Sequence, residues 1–445
     1  MVNKLLEKYN VPVPRYTSYP TVPFWNMNGV NEENYKLAVK KTFDSTNDSE
    51  GISLYIHLPY CESLCTFCGC NRFIPKNHEV EKPYIETLLK EWDIYLNIFQ
   101  NKPKLREIHL GGGTPTFFSP ENLEYLITNI LKKSDLHKDY EFSLEVHPEI
   151  TNLEHLKTLY KLGFRRLSMG IQDFDPHIQK IINRKQTYEK IHELYYQARE
   201  VGFISINFDL IYGLPKQKKE NILITMDKVK QFLPDRIALY SYAHVPWKSK
   251  TQRKYDESDL PNPIEKRELY ETSKNILEEI GYKEIGMDHF SLESDTLYKA
   301  QKNKKLHRNF MGYTHNHTHL LVGLGASSIS DTWSFFIQNN KDINEYKQAI
   351  ENNQIPISVG HKLTEEDMRV RRNILNLICN FETNYDKKDV SLDSLQNYFD
   401  DGLIEFSENQ IIVTDLGKKF IRNICSAFDP SFIKNSKENL FSKAI

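Results

Sequence analysis

Cysteine is scarce in this chain outside one place. Of six cysteines in 445 residues, four fall between positions 61 and 70, while Cys379 and Cys425 stand alone in apolar helical patterns. No second pair is left to complete the two-pair ligand set of a structural zinc site. A chain of this size needs no disulfide staples, and its first ten residues lack the apolar region of a secretory signal. No apolar run approaches the length of a membrane span. A cytoplasmic protein with reduced thiols and no membrane partner is therefore expected. Positive charge is not in surplus either. The formal net charge of −2 gives no electrostatic case for nucleic acid, so an anionic substrate must be met by a local basic site. The 39% hydrophobic content suits a sizeable core, and the length suggests two or three domains.

The densest chemistry lies in Tyr55-Ile-His-Leu-Pro-Tyr-Cys61-Glu-Ser-Leu-Cys65-Thr-Phe-Cys68-Gly-Cys70-Asn, with spacing C-x3-C-x2-C-x-C. The apolar, β-branched run Ile52–Leu58 before it reads as a buried strand stopped by Pro59. The cysteines thus sit on a loop at the carboxyl end of a strand, where barrels and open α/β sheets place their chemistry. Thiolates this close repel one another and stay ionised only beside a metal. Three soft ligands on one tight loop favour a four-iron cluster with one iron open; zinc is the alternative. The spacing after a strand resembles the radical S-adenosylmethionine superfamily. In that family the open iron binds S-adenosylmethionine, and an electron from the cluster cleaves the sulfonium to give a 5′-deoxyadenosyl radical.

Along the chain, residues 1–50 hold a short helix and then Val11-Pro-Val-Pro-Arg-Tyr-Thr-Ser-Tyr-Pro-Thr-Val-Pro, an extended strap. It reads either as a surface linker or as a segment over the active site. Residues 51–245 alternate strands and helices. Strands are expected at Ile52–Leu58, Leu105–Leu110, Glu141–Val146, Arg165–Ile171, Ser205–Ile211 and Arg236–Ser241, with helices at Val80–Phe99, Pro120–Lys132, Leu153–Leu162, Tyr188–Val201 and Lys219–Phe232. Spacing alone fits a partial six-stranded barrel or a doubly wound sheet. The strand ends carry Gly111-Gly-Gly-Thr-Pro-Thr116, Glu145, Gln172, Asp209 and Tyr242-Ala243-His244, and Arg184 follows the fourth strand. Singly these are weak signals, but on one rim they outline a polar cofactor site. The triple glycine promises close approach and free amides. It is no phosphate loop, because no Gly-Lys-Ser/Thr follows. Residues 246–360 form a mixed extension, in which His307-Arg308 reads as either a site or a surface turn. From 361 to 445, a capping box at Thr364-Glu-Glu-Asp367, a hairpin over Gly402–Val413 and a helix from Thr414 to Ala427 resemble a small winged-helix-like domain.

The motifs narrow the resemblance. Tyr55-Ile-His-Leu-Pro-Tyr-Cys, the fourth cysteine Cys70, Arg15-Tyr-Thr-Ser-Tyr-Pro, Gly111-Gly-Gly-Thr-Pro-Thr, Arg166-Leu-Ser-Met-Gly-Ile-Gln-Asp-Phe, Asp209-Leu-Ile-Tyr-Gly-Leu-Pro, Gly286-Met-Asp-His-Phe and His307-Arg-Asn-Phe are similar to those of the oxygen-independent coproporphyrinogen III oxidase family. The match runs from about 10 to 428. Haem-chaperone relatives share the barrel and three cysteines but typically lack Cys70 and the strap. The resemblance implies an α/β fold with a partial (β/α)6 barrel. It implies anaerobic oxidative decarboxylation of two propionates of coproporphyrinogen III to vinyls, giving protoporphyrinogen IX in haem biosynthesis. A [4Fe-4S] cluster and two S-adenosylmethionine molecules per chain are implied, with an electron donor, a terminal electron acceptor and a monomeric state. Cys61, Cys65 and Cys68 would hold the cluster. Tyr55, Gly112, Glu145 and Ile329 would contact the first S-adenosylmethionine; Phe67, Gly113, Thr114, Gln172, Arg184, Asp209 and Ala243 would contact the second. Tyr55, Cys70 and Glu145 form the implied catalytic set. A substrate rich in carboxylates calls for basic clamps, and Arg15, Arg72 and Arg308 are the candidates. His147, where the family more usually has Asp, and the tail beyond Asp429 depart from the pattern without touching these positions.

Overall fold

The run Ile52–Leu58 forms β1 and is buried along nearly its whole length, as a central strand of a parallel sheet must be. Five strands follow: β2 (Lys104–Gly112), β3 (Asp135–Val146), β4 (Phe164–Gln172), β5 (Ser205–Tyr212) and β6 (Arg236–Ser241). The computed structural model describes residues 2–247, 249–384, 392–435 and 440–443. In it these six strands pair in sequence order, all parallel. The connecting helices span Glu81–Phe99, Pro120–Lys132, Leu153–Lys161, Tyr188–Val201 and Lys219–Phe232. Local chemistry fixes their ends. Ser119 caps the second through Asn122 N with Pro120 behind it, and Gly202 closes the fourth in the left-handed region at φ 113°. The core is thus an α/β partial (β/α)6 barrel.

The sheet does not stop at six strands. Beyond β6 it continues through antiparallel partners formed by β7 (Tyr282–Gly286) and β8 (His289–Leu292). A separate hairpin of β9 (His307–Asn309) and β10 (Gly312–Thr314) follows. On the other edge, β11 (Leu321–Leu324) pairs parallel to β1 and leads into antiparallel β12 (Ile329–Asp331), β13 (Phe335–Asn339) and β14 (Ile357–Lys362). The result is one open twelve-stranded sheet.

At the amino-terminal foot of the barrel, charges answer one another between neighbouring elements. Arg166 pairs with Glu141 at 2.5 Å and Arg236 with Asp295 at 2.8 Å, while Ser53 Oγ donates to Glu107 at 2.9 Å. Arg106 Nε donates to Asn316 at 2.9 Å, and His319 meets Glu50 at 2.8 Å.

The carboxy-terminal region opens with the helix Glu365–Asn380, capped by the expected Thr364–Asp367 box. A three-stranded sheet follows, built from Glu382–Asn384 and the hairpin Ile404–Ser407 with Gln410–Val413. The helix expected over Thr414–Ala427 is broken into Asp415–Lys418 and Ile421–Ser426. At Gly417 a Cβ would meet Leu403 O at 1.9 Å, so this turn is seated against the hairpin and the chain must kink to continue. The strap belongs to this region's core: Leu5, Leu6, Tyr9, Tyr16 and Tyr19 pack with Ile374, Leu377, Phe420 and Ile424. Its extended part bridges Pro12 to Lys443, Val13 N donates to Ser442 O at 3.2 Å, and Arg422 Nε donates to Pro14 O at 3.2 Å. The expected domain reaches 445, and its residues 385–391, 436–439, 444 and 445 lie outside those described.

Candidate cofactor and substrate site

Pro59 ends β1, and the cysteine loop is folded back on itself by two backbone bonds, Cys61 N to Phe73 O at 3.0 Å and Phe73 N to Pro59 O at 2.8 Å. Thr66 N to Ile182 O at 3.1 Å and Asn183 Nδ2 to Leu64 O at 2.7 Å pin the far side. Cys61, Cys65 and Cys68 all line one cavity of about 320 Å³. All six cysteines are free thiols. Thr114 Oγ1 donates to Cys61 Sγ at 3.4 Å and Arg184 Nη1 to Cys65 Sγ at 3.6 Å. Cys68 is drawn down to about 6, first by its hydrogen bond with Cys70 and then by the Arg72 and Arg184 guanidinia, whereas burial pushes Cys61 up to about 11. Donors aimed at sulfur are what a thiolate ligand requires. Among the described residues no three His, Cys, Asp or Glu side chains converge on the position of a single ion. A polynuclear cluster takes one thiolate per iron and so spreads its ligands further apart. The donor set therefore fits an iron–sulfur cluster.

The glycines at the end of β2 make the close approach expected of them but do not offer the free amides. At Gly112 (φ 111°) a Cβ would lie 2.7 Å from the His57 ring, and at Gly113 it would lie 2.7 Å from Pro59 C. Their amides are already spent: Gly113 N donates to Leu58 O, Thr114 N to Tyr60 O, and Gly112 N to Glu145 Oε2 at 3.3 Å. The run lets β2 press against the cysteine loop and fixes Glu145, rather than offering free donors.

A side-chain chain runs behind the cavity. His57 Nε2 lies 2.8 Å from Asn71 O, a carbonyl that can only accept, so Nε2 carries the proton and Nδ1 accepts from Tyr55 OH at 3.1 Å. Burial holds His57 below its ordinary value and so neutral. Glu145, at the end of β3, also faces His109 Nε2 at 3.5 Å.

On the opposite wall, Arg184 donates to Gly170 O, to Gln186 Oε1 at 3.2 Å and to Cys65 Sγ. Asp209 accepts from Ser168 Oγ at 2.7 Å and Asn207 Nδ2 at 2.9 Å. Arg184 and Asp209 are thus held by separate partners, and both line the cavity. Burial, and then the Glu145 charge, push Asp209 up to about 6. Gln172 joins them with its backbone in the left-handed region, φ 70°.

Phe67, Gly112, Gly113, Thr114 and Glu145 line the same cavity, and Cys70 opens into it. Tyr55, Ala243 and Ile329 are not among its lining residues; Tyr55 lies behind Gly111, and Ile329 lies against Gly323. His147, the departure noted in the sequence, does line it, and burial with the Arg184 charge holds it down at about 3. Of the candidate clamps, Arg72 donates to Cys70 O at 3.1 Å and Cys65 O at 3.4 Å, bracing the loop. Arg15 reaches the end of β6, donating to Ser241 O at 2.8 Å and standing 3.8 Å from Asp288. Arg308 is buried in the β9 hairpin rather than displayed on a surface turn.

A second cavity, of about 370 Å³, continues into the barrel lumen and shares Phe67, Cys70, Glu145, Ser168, Gln172 and Asp209 with the first. Tyr240, His289 and the hairpin residues Asn309, Met311 and Tyr313 wall its far side. Sequence reasoning missed His57, Ser168 and Asn207, and left the hairpin at His307-Arg308 open between a site and a surface turn. Period-two alternation along β4 and β5, which turns Ser168, Asn207 and Asp209 to one face, was the available signal for two of them.

The radical SAM superfamily model matches residues 55–229. The oxygen-independent coproporphyrinogen III oxidase of Helicobacter pylori is 38% identical, over 98% of this chain and 98% of its own length. That of Escherichia coli is 36% identical, over 99% and 98%. The solved structure of the coproporphyrinogen III oxidase HemN from Escherichia coli, described as a radical SAM enzyme, superposes with a TM-score of 0.88 at 36% identity, over 94% of this chain and 97% of that one.

Proposed function

The chain belongs to the oxygen-independent coproporphyrinogen III oxidases of the radical SAM superfamily, and from that membership we propose that it decarboxylates two propionates of coproporphyrinogen III oxidatively and without oxygen, giving the vinyl groups of protoporphyrinogen IX. The observation that carries this reading is the pair of joined cavities, which lead from a three-thiol loop to a walled lumen. When bound, the [4Fe-4S] cluster and S-adenosylmethionine supply a carbon radical able to take hydrogen from an unactivated propionate carbon, which acid–base side chains cannot do.

Cys61, Cys65 and Cys68 hold the cluster in this reading, with Thr114 and Arg184 donating to the sulfurs of Cys61 and Cys65. Glu145, fixed by Gly112, and Tyr55, fixed by His57, serve the first S-adenosylmethionine together with Gly112 and Ile329. A second molecule is proposed on the wall of Phe67, Gly113, Thr114, Gln172, Arg184, Asp209 and Ala243. The separate anchoring of Arg184 and Asp209 supports it, because each keeps a face for the carboxylate or ammonium of one amino acid. Cys70, open to both cavities, stands where substrate meets cofactor and completes the catalytic set with Tyr55 and Glu145. An electron donor and a terminal electron acceptor complete the balance, each decarboxylation releasing one electron from the substrate. We place the enzyme in the cytoplasm as a monomer without nucleic-acid or membrane partners; among the described residues no helix is long and apolar enough to cross a membrane. The division proposed is strap 1–50, barrel 51–245, extension 246–360 and carboxy-terminal domain 361–445.

The deciding experiment is anaerobic reconstitution with iron, sulfide, S-adenosylmethionine, a reductant and coproporphyrinogen III, followed by product mass. Loss of two carboxyl groups is expected. A protein that binds tetrapyrrole without changing its mass would be a haem-chaperone relative instead. A colourless, zinc-bearing protein would overturn the cluster.

A further inference from the structure

Among the described residues no acid answers the charge of Arg308. It is only 8% exposed, and its Nε and Nη1 are fully buried without a hydrogen-bond partner. Among the described residues it makes no ion pair, and the acid lining its pocket, Asp331, is committed to Arg371 and to Trp333 N. Its one close contact is the face of Tyr313, 4.4 Å from the guanidinium carbon. Arginine cannot escape burial by losing its proton. A buried guanidinium without a carboxylate is costly, and folds keep one where an anion arrives to share it. The arginines of the barrel foot show the contrast, since Arg166 and Arg236 each meet an acid.

The location says which anion. Arg308 sits on β9 directly opposite Tyr313 of β10. Arg308 is not itself among the lumen's lining residues; its own pocket, of about 10 Å³ beneath strap residues Tyr16 to Tyr19, meets the lumen at Asn309, which lines both, and Tyr313, against whose face the guanidinium lies, also lines the lumen. The planar fork of the guanidinium matches a carboxylate in two parallel bonds. We propose that Arg308 is the anchor for a carboxylate of the bound substrate, a propionate at the end of the tetrapyrrole turned away from the cofactors. The inference rests on the proposed substrate and names the residue that recognises its charge.

The test uses cluster-reconstituted, S-adenosylmethionine-loaded protein and coproporphyrin III, the oxidised tetracarboxylate, followed by fluorescence under anaerobic conditions. Arg308→Met keeps the side-chain volume and removes the charge. It should weaken coproporphyrin III binding roughly tenfold to a hundredfold, the scale of a lost charge-assisted hydrogen-bond pair. The tetramethyl ester should bind parent and variant alike, and Arg308→Lys should fall between. The second measurement is thermal unfolding without porphyrin. Because the charge is unanswered in the free protein, Arg308→Met should melt no lower than the parent. Equal coproporphyrin III affinity in parent and variant would overturn the anchor alone, as would a lower melting temperature of Arg308→Met. A parent protein that binds no coproporphyrin III would overturn the substrate reading itself.

Discussion

The two ends of the barrel are made from the same six strands and treat charge in opposite ways. At the foot, Glu141 meets Arg166, Asp295 meets Arg236, and Glu107 accepts from Ser53. At the rim, Cys61, Cys65 and Cys68 face a cavity, Arg184 and Asp209 are anchored separately, and Glu145 is held by one backbone amide. Pairing at the foot ties neighbouring strands together at the bottom of the lumen cavity, which Glu107, Glu141, Arg166 and Arg236 line. Withheld pairing at the rim leaves donors and acceptors for a ligand. A titratable group at the foot therefore has its charge answered within the chain, whereas Arg184 and Asp209 at the rim are held by neutral partners.

The sharpest break of this contrast is at the cysteines. Replacing Cys61, Cys65 or Cys68 by Ala should abolish cluster iron and S-adenosylmethionine cleavage while far-UV circular dichroism stays unchanged; a full four-iron signal in any one of them would remove that residue from the ligand set. Cys70→Ala should keep its iron and lose turnover, as measured by iron content beside product yield.

At the foot the largest response is in stability. Asp295, with a side chain 3% exposed, lies against Arg236 at 2.8 Å and Arg166 at 3.7 Å. Asp295→Ala leaves the largely buried Arg236 without its acid, while Arg166 keeps Glu141, and should cost about 3 kcal/mol in urea unfolding, with iron content of the folded fraction unchanged. A loss below about 1 kcal/mol would mean the foot pairs are no more than surface ion pairs.

Arg184→Ala should leave the iron in place and drop bound S-adenosylmethionine from two per chain to one, with vinyl formation falling by about tenfold to a hundredfold, as for other lost charged hydrogen bonds. Equilibrium dialysis gives the stoichiometry. One molecule bound in both proteins would mean a single site that reloads between the two decarboxylations.

The smallest effect is a pH dependence. Burial, and then the Glu141 charge, push Glu107 up from 4.5 to about 7. Folding favours its neutral form, so its contribution to stability is complete below 4.5 and is lost as pH rises through 7. Glu107→Gln should remove that loss and flatten the unfolding midpoint between acidic and mildly alkaline buffer, by on the order of 2 kcal/mol. An equal decline in the variant would place the titration elsewhere.

Much of this was legible in the chain itself, for physical reasons that differ by region. The six barrel strands and five helices are long, strongly patterned and punctuated by caps such as Ser119 and Thr187, so their positions follow from local chemistry. The cysteine loop declares itself by spacing. The extension does not, because β9, β10 and β12 are three residues long and too short for any period to show. Nothing local tells β11 to choose the β1 edge. Gly111 to Gly113 were read as donors to a ligand, yet their amides close the strand ends; only the neighbouring Leu58, Tyr60 and Glu145 reveal that. His57 looks like any interior strand residue until Asn71 O and Tyr55 OH fix its tautomer.

The strap has a consequence in time. Its partners, Arg422 and Ser442, leave the ribosome long after it does; Pro14 and Arg422 are 408 residues apart. A protein is made from its amino terminus, and long-range contacts wait for the later partner. Until Phe420 and Ile424 have emerged, Tyr16 and Tyr19 therefore have no carboxy-terminal core to enter, and the hairpin bearing Arg308 has no roof. A chain cut after the barrel would keep every cysteine of the loop and still lack the hairpin that walls its lumen. Closing the strap is the chain's own report that Arg422 and Ser442 have been made.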